Sequence, residues 1–326
     1  VIVAAWLCAC AGPGLDLSQL PDRPIAIVHR TLDESEQRSD LLLRAKGGGA
    51  ASGRVRLEDV GELLGIGADE QERRAAMLGH LSLVHPQSRR VERLEGALPG
   101  ERPLCWSADG DRLLFVSFQR SARPQLHEYS RSSKEIRTVT RGPAAHPFGC
   151  YGPGDRVVVS RVEASGKNLV SRLVVHAPPK APTLLTAGPG DSKPVWSPDG
   201  ALIAYETLRE GGVSSIAVID PDGGSPRTLT RGQDPVFTPD GKWIVFSAPN
   251  RGRSRLWRIR PNGVGRSQLG ESIYDERDPA VSPDGRYVLF VGEEAGTVVQ
   301  QILVRPFAGG GQRPLLDRDE GMSPTW

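Results

Sequence analysis

Short apolar runs bounded by turn-forming residues recur along most of this chain. Leu113-Leu114-Phe115-Val116, Trp243-Ile244-Val245-Phe246 and Tyr287-Val288-Leu289-Phe290 are three of them. Runs so short and so dense in apolar residues predict strands packed between neighbouring sheets. Each follows a P-x-W-S-P-D-G-like turn: Pro194-Val195-Trp196-Ser197-Pro198-Asp199-Gly200, Pro235-Val236-Phe237-Thr238-Pro239-Asp240-Gly241 and Pro279-Ala280-Val281-Ser282-Pro283-Asp284-Gly285, with Trp106-Ser107-Ala108-Asp109-Gly110 ahead of them. Proline presets φ for the first corner, aspartate bonds back to the backbone, and glycine takes the left-handed position, so each copy predicts a hairpin corner. Cys150-Tyr151-Gly152-Pro153-Gly154 is a degenerate copy without the turn aspartate, and the chain ends Pro324-Thr325-Trp326.

Aligned on positions 106, 150, 196, 237, 281 and 326, the copies are spaced by 41 to 46 residues. A third strand follows each apolar run, as in Ile216-Ala217-Val218-Ile219, and a more polar fourth closes the unit, as in Arg227-Thr228-Leu229-Thr230. Four strands repeated at this period predict an all-β, six-bladed β-propeller. The final unit contains only its first strand. Its partners are predicted near the other end of the chain, in Pro24–His29, His80–Gln87 and Arg90–Gly96, so that N- and C-terminal strands pair in one blade and close the ring. Residues 33–77 break the pattern and read as a short helical insertion in the closing blade: Asp33 and Glu36 suggest a capping box, while Leu57, Val60, Leu63 and Leu64 recur at helical spacing. The propeller is expected to span 19–326, behind a leader and linker at 1–18.

Composition narrows the functional classes. Over 326 residues, 41 basic and 39 acidic side chains leave a net charge of +2, too little for a single-sign field that recruits nucleic acid. The uncharged opening VIVAAWLCACAG is too short to span a bilayer and reads as the end of a signal peptide. Leu7-Cys8-Ala9-Cys10 resembles a bacterial lipobox with Cys10 as lipid anchor; cleavage near Ala11 and a buried strand are the alternatives. The expected membrane link is through that anchor alone, and the expected location is the periplasm or outer membrane of a Gram-negative bacterium.

The W-S-P-D-G repeats resemble those of the TolB-like propeller family, across residues 101–326. The resemblance implies a six-bladed ring and a periplasmic protein that binds an envelope protein. The same repeats also occur in propeller domains of prolyl oligopeptidase-type enzymes. The separate α/β domain that precedes the propeller in TolB itself is not expected here.

No G-x-S-x-G elbow or H-E-x-x-H pair is present, and the expectation is a non-catalytic, monomeric binding scaffold without cofactor or metal. An enzyme acting on a carbohydrate or small ligand at the channel mouth is the alternative. Asp109, Asp199, Asp240 and Asp284 are expected to serve their turns. Cys105 and Cys150 are expected as buried free thiols rather than a disulfide. Arg102, His146, Lys193, Asp234, Asp278 and Ser323, placed just before each first strand, are expected to crowd one mouth of the channel, basic on one side and acidic on the other. Such a rim suits a polar peptide or protein segment.

Overall fold

The computed structural model describes residues 15–30, 79–209, 212–294, 300–316 and 320–326. Cys10, the leader and the expected helical insertion at 33–77 lie outside the described residues. Among the described residues twenty-four strands form six antiparallel four-stranded sheets. Ile25–Arg30 (β1), His80–His85 (β2) and Arg90–Arg93 (β3) come first. Blade 1 is Arg102–Trp106 (β4), Arg112–Ser117 (β5), Gln125–Ser130 (β6) and Ile136–Thr138 (β7). Blade 2 is Gly149–Tyr151 (β8), Val157–Ser165 (β9), Asn168–Ala177 (β10) and Lys180–Leu184 (β11). Blade 3 is Asp191–Trp196 (β12), Ile203–Arg209 (β13), Val213–Ile219 (β14) and Arg227–Arg231 (β15). Blade 4 is Gln233–Phe237 (β16), Ile244–Asn250 (β17), Arg253–Ile259 (β18) and Ser267–Gln268 (β19). Blade 5 is Tyr274–Val281 (β20), Tyr287–Glu294 (β21), Gln300–Pro306 (β22) and Arg313–Pro314 (β23). The last strand, Glu320–Thr325 (β24), joins β1, β2 and β3 in the order β24-β1-β2-β3, which makes blade 6 and closes the ring as expected.

The apolar runs are continuous because both faces of each second strand are buried. Leu113 and Phe115 pack with Leu81 and Leu83 in the seam between blades 6 and 1, while Leu114 and Val116 pack with Val157 and Val159 in the seam between blades 1 and 2. Successive side chains point to opposite faces, so one strand serves two seams. The same alternation sends Ile244 and Phe246 to blade 3 and Val245 to blade 5. Six hydrophobic clusters result, one in each seam. The fourth strands are short and polar; all of β11 is exposed, which leaves little apolar edge for another chain to pair with.

The turns work as their residues predict. In blade 3 the Ser197 hydroxyl donates to Asp199 Oδ1 at 2.6 Å, the Ala201 N–H donates to the same oxygen at 3.0 Å, and Ser197 Oγ accepts from Leu202 N–H at 2.9 Å. Equivalent bonds hold Asp109, Asp240 and Asp284. The hydroxyl bonds hold the carboxyls of Asp109, Asp199 and Asp240 below their ordinary pKa. Gly200 has φ +71°, and a Cβ there would meet Pro153 Cγ at 2.4 Å.

Register changes one alignment. Tyr151 pairs with Val157 as Trp196 pairs with Ile203, so Tyr151, not Cys150, occupies the aromatic position of blade 2. The intervening turn is one residue shorter there, which displaces a count made from the second strand. With 151 in place of 150 the spacing tightens to 41–45 residues. Gly152 replaces serine where the Trp196 indole lies against the backbone: an added Cβ would fall 2.3 Å from Cε2 of that ring. Cys105 is buried and Cys150 half-buried, both as free thiols in the same seam. At the N-terminal side, Leu17, from the segment assigned above to the linker, and Leu20 belong to the cluster between blades 5 and 6.

Blade 6 is locked by its aromatic end. Trp326 is 9% exposed, and its indole N–H donates to Arg23 O at 3.1 Å. Replacing it (W326A) is expected to cost about 3 kcal/mol by urea denaturation, as for other large-to-small core changes. D199A, which deletes one turn acceptor, should cost about 1 kcal/mol in the same measurement.

Candidate functional site

The innermost strands β24, β4, β8, β12, β16 and β20 pack each on the next and line the central channel. β4 shifts register between Pro103 and Cys105 without a left-handed residue, and three more of them carry a one-residue bulge that has one: β12 between Ser192 and Val195, β16 between Gln233 and Val236, and β20 between Arg277 and Ala280. The same irregularity occurs where β24 meets β1. The first residue of each bulge is Lys193, Asp234, Asp278 or Ser323, with φ of 49°, 56°, 48° and 51°, and each is followed by proline. Left-handed backbone is costly for residues with a Cβ, so its recurrence in four blades marks a constraint built into the repeat. A bulge bends the strand and re-aims its side chain.

Three of the four carry charge, and they converge. Lys193 Nζ contacts Asp234 and lies 3.3 Å from Glu206 Oε2. Asp234 Oδ2 also accepts from the Ser247 hydroxyl at 2.8 Å. On its other side the ammonium lies 5.7 Å from the centre of the Phe148 ring. Burial works against the charge on Lys193, but the carboxylates of Asp234 and Glu206 outweigh it and raise its pKa above the ordinary value. Asp278, in the next blade, makes no hydrogen bond or salt bridge among the described residues. Its carboxyl is pushed up to about 6 by burial and then by Asp234, against the pull of Lys193 and Arg102.

The rim therefore differs from the expected one. Lys193, Asp234 and Asp278 meet as an interleaved network rather than as separate basic and acidic sides. With Ser323 they sit inside their strands, not before them. Arg102 opens β4 and is exposed. His146 is not at the mouth at all: it is 4% exposed in the seam between blades 1 and 2, with Nδ1 3.0 Å from Gln125 Oε1 and its ring edge-on to His176. Burial, and then His176, lowers its pKa to about 4, so it is neutral near pH 7. Blade 2 has no bulge of this kind, which is why the position before its proline follows a different path. Sequence reading missed Glu206; the available signal was a lone acid within the apolar strand Ile203-Ala204-Tyr205-Glu206.

Among the described residues no group of three or more His, Cys, Asp and Glu side chains is arranged to hold a metal ion. No protein-family model matches the chain. An uncharacterised protein of Agrobacterium fabrum is 27% identical over 175 residues, covering 52% of this chain and 58% of its own length. The chain thus matches less than two thirds of that relative. A solved TolB-type protein from Agrobacterium tumefaciens superposes with a TM-score of 0.62 at 24% identity, covering 73% of this chain and 88% of its own. TolB from Acinetobacter baumannii gives 0.63 at 18%, covering 76% and 62%.

This is the TolB-like propeller fold. Likeness at these identities carries the architecture, and within a TolB-like ring the inner bulges are where this chain places its charge.

The raised carboxyl of Asp278 sets a pH dependence. A folded-state pKa above the unfolded one means that the native state holds the proton longer, so this group destabilises the fold once it ionises. Its contribution declines between about pH 4, where an unfolded aspartate titrates, and about pH 6, and is constant above that. D278N should abolish that decline and raise stability at pH 7.5 by about 1–2 kcal/mol, read from urea midpoints of both proteins at pH 4 and 7.5.

Proposed function

We propose that this chain is a non-catalytic binding propeller of the bacterial cell envelope, which holds a protein partner on the channel-mouth face. Asp191 pairs with Thr207, so the mouth lies at the same end of the blades as the hairpins joining second and third strands. The observation that carries the reading is the distribution of exposed apolar side chains at that end. Of seven large hydrophobics exposed among the described residues, Phe118, Leu169, Leu208, Val213 and Ile273 stand on those hairpins or at the start of a first strand. Exposed apolar groups gathered on one face around a polar centre mark an interaction surface more than a solvated rim.

The polar centre indicates what the partner brings. Glu206, Asp234 and Asp278 face Lys193, and the Asp278 carboxylate lacks a direct cationic partner. A lysine or arginine flanked by apolar residues on the partner would neutralise it. Export fits the lipobox-like Leu7–Cys10, with Cys10 as anchor, and the TolB-like fold; the bound form is a monomer facing a different protein.

Photo-crosslinking residues placed at Leu169 and Leu208 are expected to trap one envelope protein in cells, and one at Val264 to trap none. D278N should weaken the purified complex about tenfold, in keeping with loss of a charge pair at an interface. Crosslinking that is equal at all three positions would overturn the reading. Turnover of a carbohydrate or small ligand at the mouth would put an enzyme in its place.

A further inference from the structure

We propose that blade 1 carries a separate oxyanion site, away from the channel, that takes a phosphate group. The loop joining β5 to β6 and the segment following β7 enclose a cavity of about 390 Å³, lined by Arg120, Arg123, His127, Thr138 and Arg141 among others. That volume is within the range of small-ligand pockets. None of these residues takes part in the network around Lys193.

The three arginines are not equivalent. Arg120 is committed: its Nε lies 2.6 Å from Oε1 of the fully buried Glu101, and its Nη2 donates to Gly96 O at 2.6 Å. Arg123 and Arg141 are exposed, and neither side chain makes a hydrogen bond or salt bridge among the described residues. The cavity therefore holds two uncompensated guanidinium groups. Guanidinium presents paired donors that match the oxygens of a phosphate, and two of them balance a dianion.

His127, on the wall of the same cavity, also lacks a partner that a ligand could supply. It is 4% exposed and stacks on Phe115 with ring centroids 5.6 Å apart, and Arg120 lies over the same Phe115 ring at 5.9 Å. Its Nε2 is buried with no hydrogen-bond partner among the described residues. A buried polar atom without a partner is costly, and one on the wall of a cationic cavity is accounted for by a ligand oxygen that completes it. Burial and then Arg120, with a smaller push from Arg141, lower the pKa of this imidazole against the pull of Glu101, and a bound dianion would raise it.

Calorimetry on the whole chain with inorganic phosphate, phenyl phosphate and acetate tests this, with the His127 ring proton followed by NMR. Phosphate or phenyl phosphate should bind with Kd of about 1 mM or tighter, and acetate at least tenfold more weakly. Tighter binding of phenyl phosphate than of phosphate would assign the site to an organic monoester; the reverse would assign it to the free ion. R123A/R141A changes only exposed residues and should lose at least tenfold in affinity at unchanged Tm, while H127F tests the buried donor. The His127 pKa should rise on saturation in the parent chain and stay fixed in R123A/R141A. Absence of binding by the parent chain, or undiminished binding by R123A/R141A, would overturn the site.

Discussion

The structure depends on one pairing, that of β24 with β1. Each blade needs an innermost strand that is hydrogen-bonded on one side and packed between two neighbours. In five blades that strand precedes its partners in the chain. In the sixth it comes from the far end, and the bonds between β24 and β1 join chain ends that no local interaction would bring together. The seam between blades 5 and 6, which buries Leu17, Leu20, Tyr287, Leu289 and Trp326 together, exists only once this pairing is made. Because every seam is one of six equivalent contacts around a ring, losing one frees both of its walls. A linear stack would instead carry two permanent edges.

The same geometry creates the polar centre. Innermost strands converge on the axis, and their prolines withhold the backbone donors that a regular ladder would use there. The bulge at Lys193, Asp234 and Asp278 resolves this by spending left-handed backbone to aim side chains across blades. Burial would suppress charge at such a place; the network survives because Lys193 is shared between Glu206 and Asp234. Asp278 stands at the end of that network with no cation in contact among the described residues, and burial, then the neighbouring Asp234, raises its pKa. A different solution appears between blades 4 and 5. There Arg305 and Glu276, both with fully buried side chains, pair directly, and Glu276 also accepts from Leu256 N–H at 2.9 Å. A buried pair of this kind is tolerable because Arg305 also donates from Nη1 to Leu269 O and from Nη2 to Gln312 Oε1, which leaves only its Nε without a partner among the described residues.

Much of the fold was legible in local chemistry. A turn made by Ser197, Asp199 and Gly200 needs only its own residues, so its copies could be counted, and their period implied blades. Ring closure was also legible, since a first strand at one end and three unclaimed strands at the other leave few alternatives. Where a turn shortened by one residue, as between Tyr151 and Val157, counting slipped and Cys150 was aligned in place of Tyr151. His146 was misplaced for a related reason: its neighbour Pro147 looks like the proline after Lys193, but its blade lacks the bulge.

The order of strands, the number of blades and the turn chemistry were determined by the sequence itself, because each rests on interactions among residues close in the chain or repeated along it. Only the tertiary structure decided which charges meet. Lys193 and Asp234 are 41 residues apart, Arg120 and Glu101 are 19 apart, and His127 finds its cavity between two loops of one blade. Those contacts depend on the angle at which neighbouring blades pack and on a one-residue bulge. Neither leaves a periodic mark on the sequence, since a bulge shifts side chains without changing the residues that make the strand.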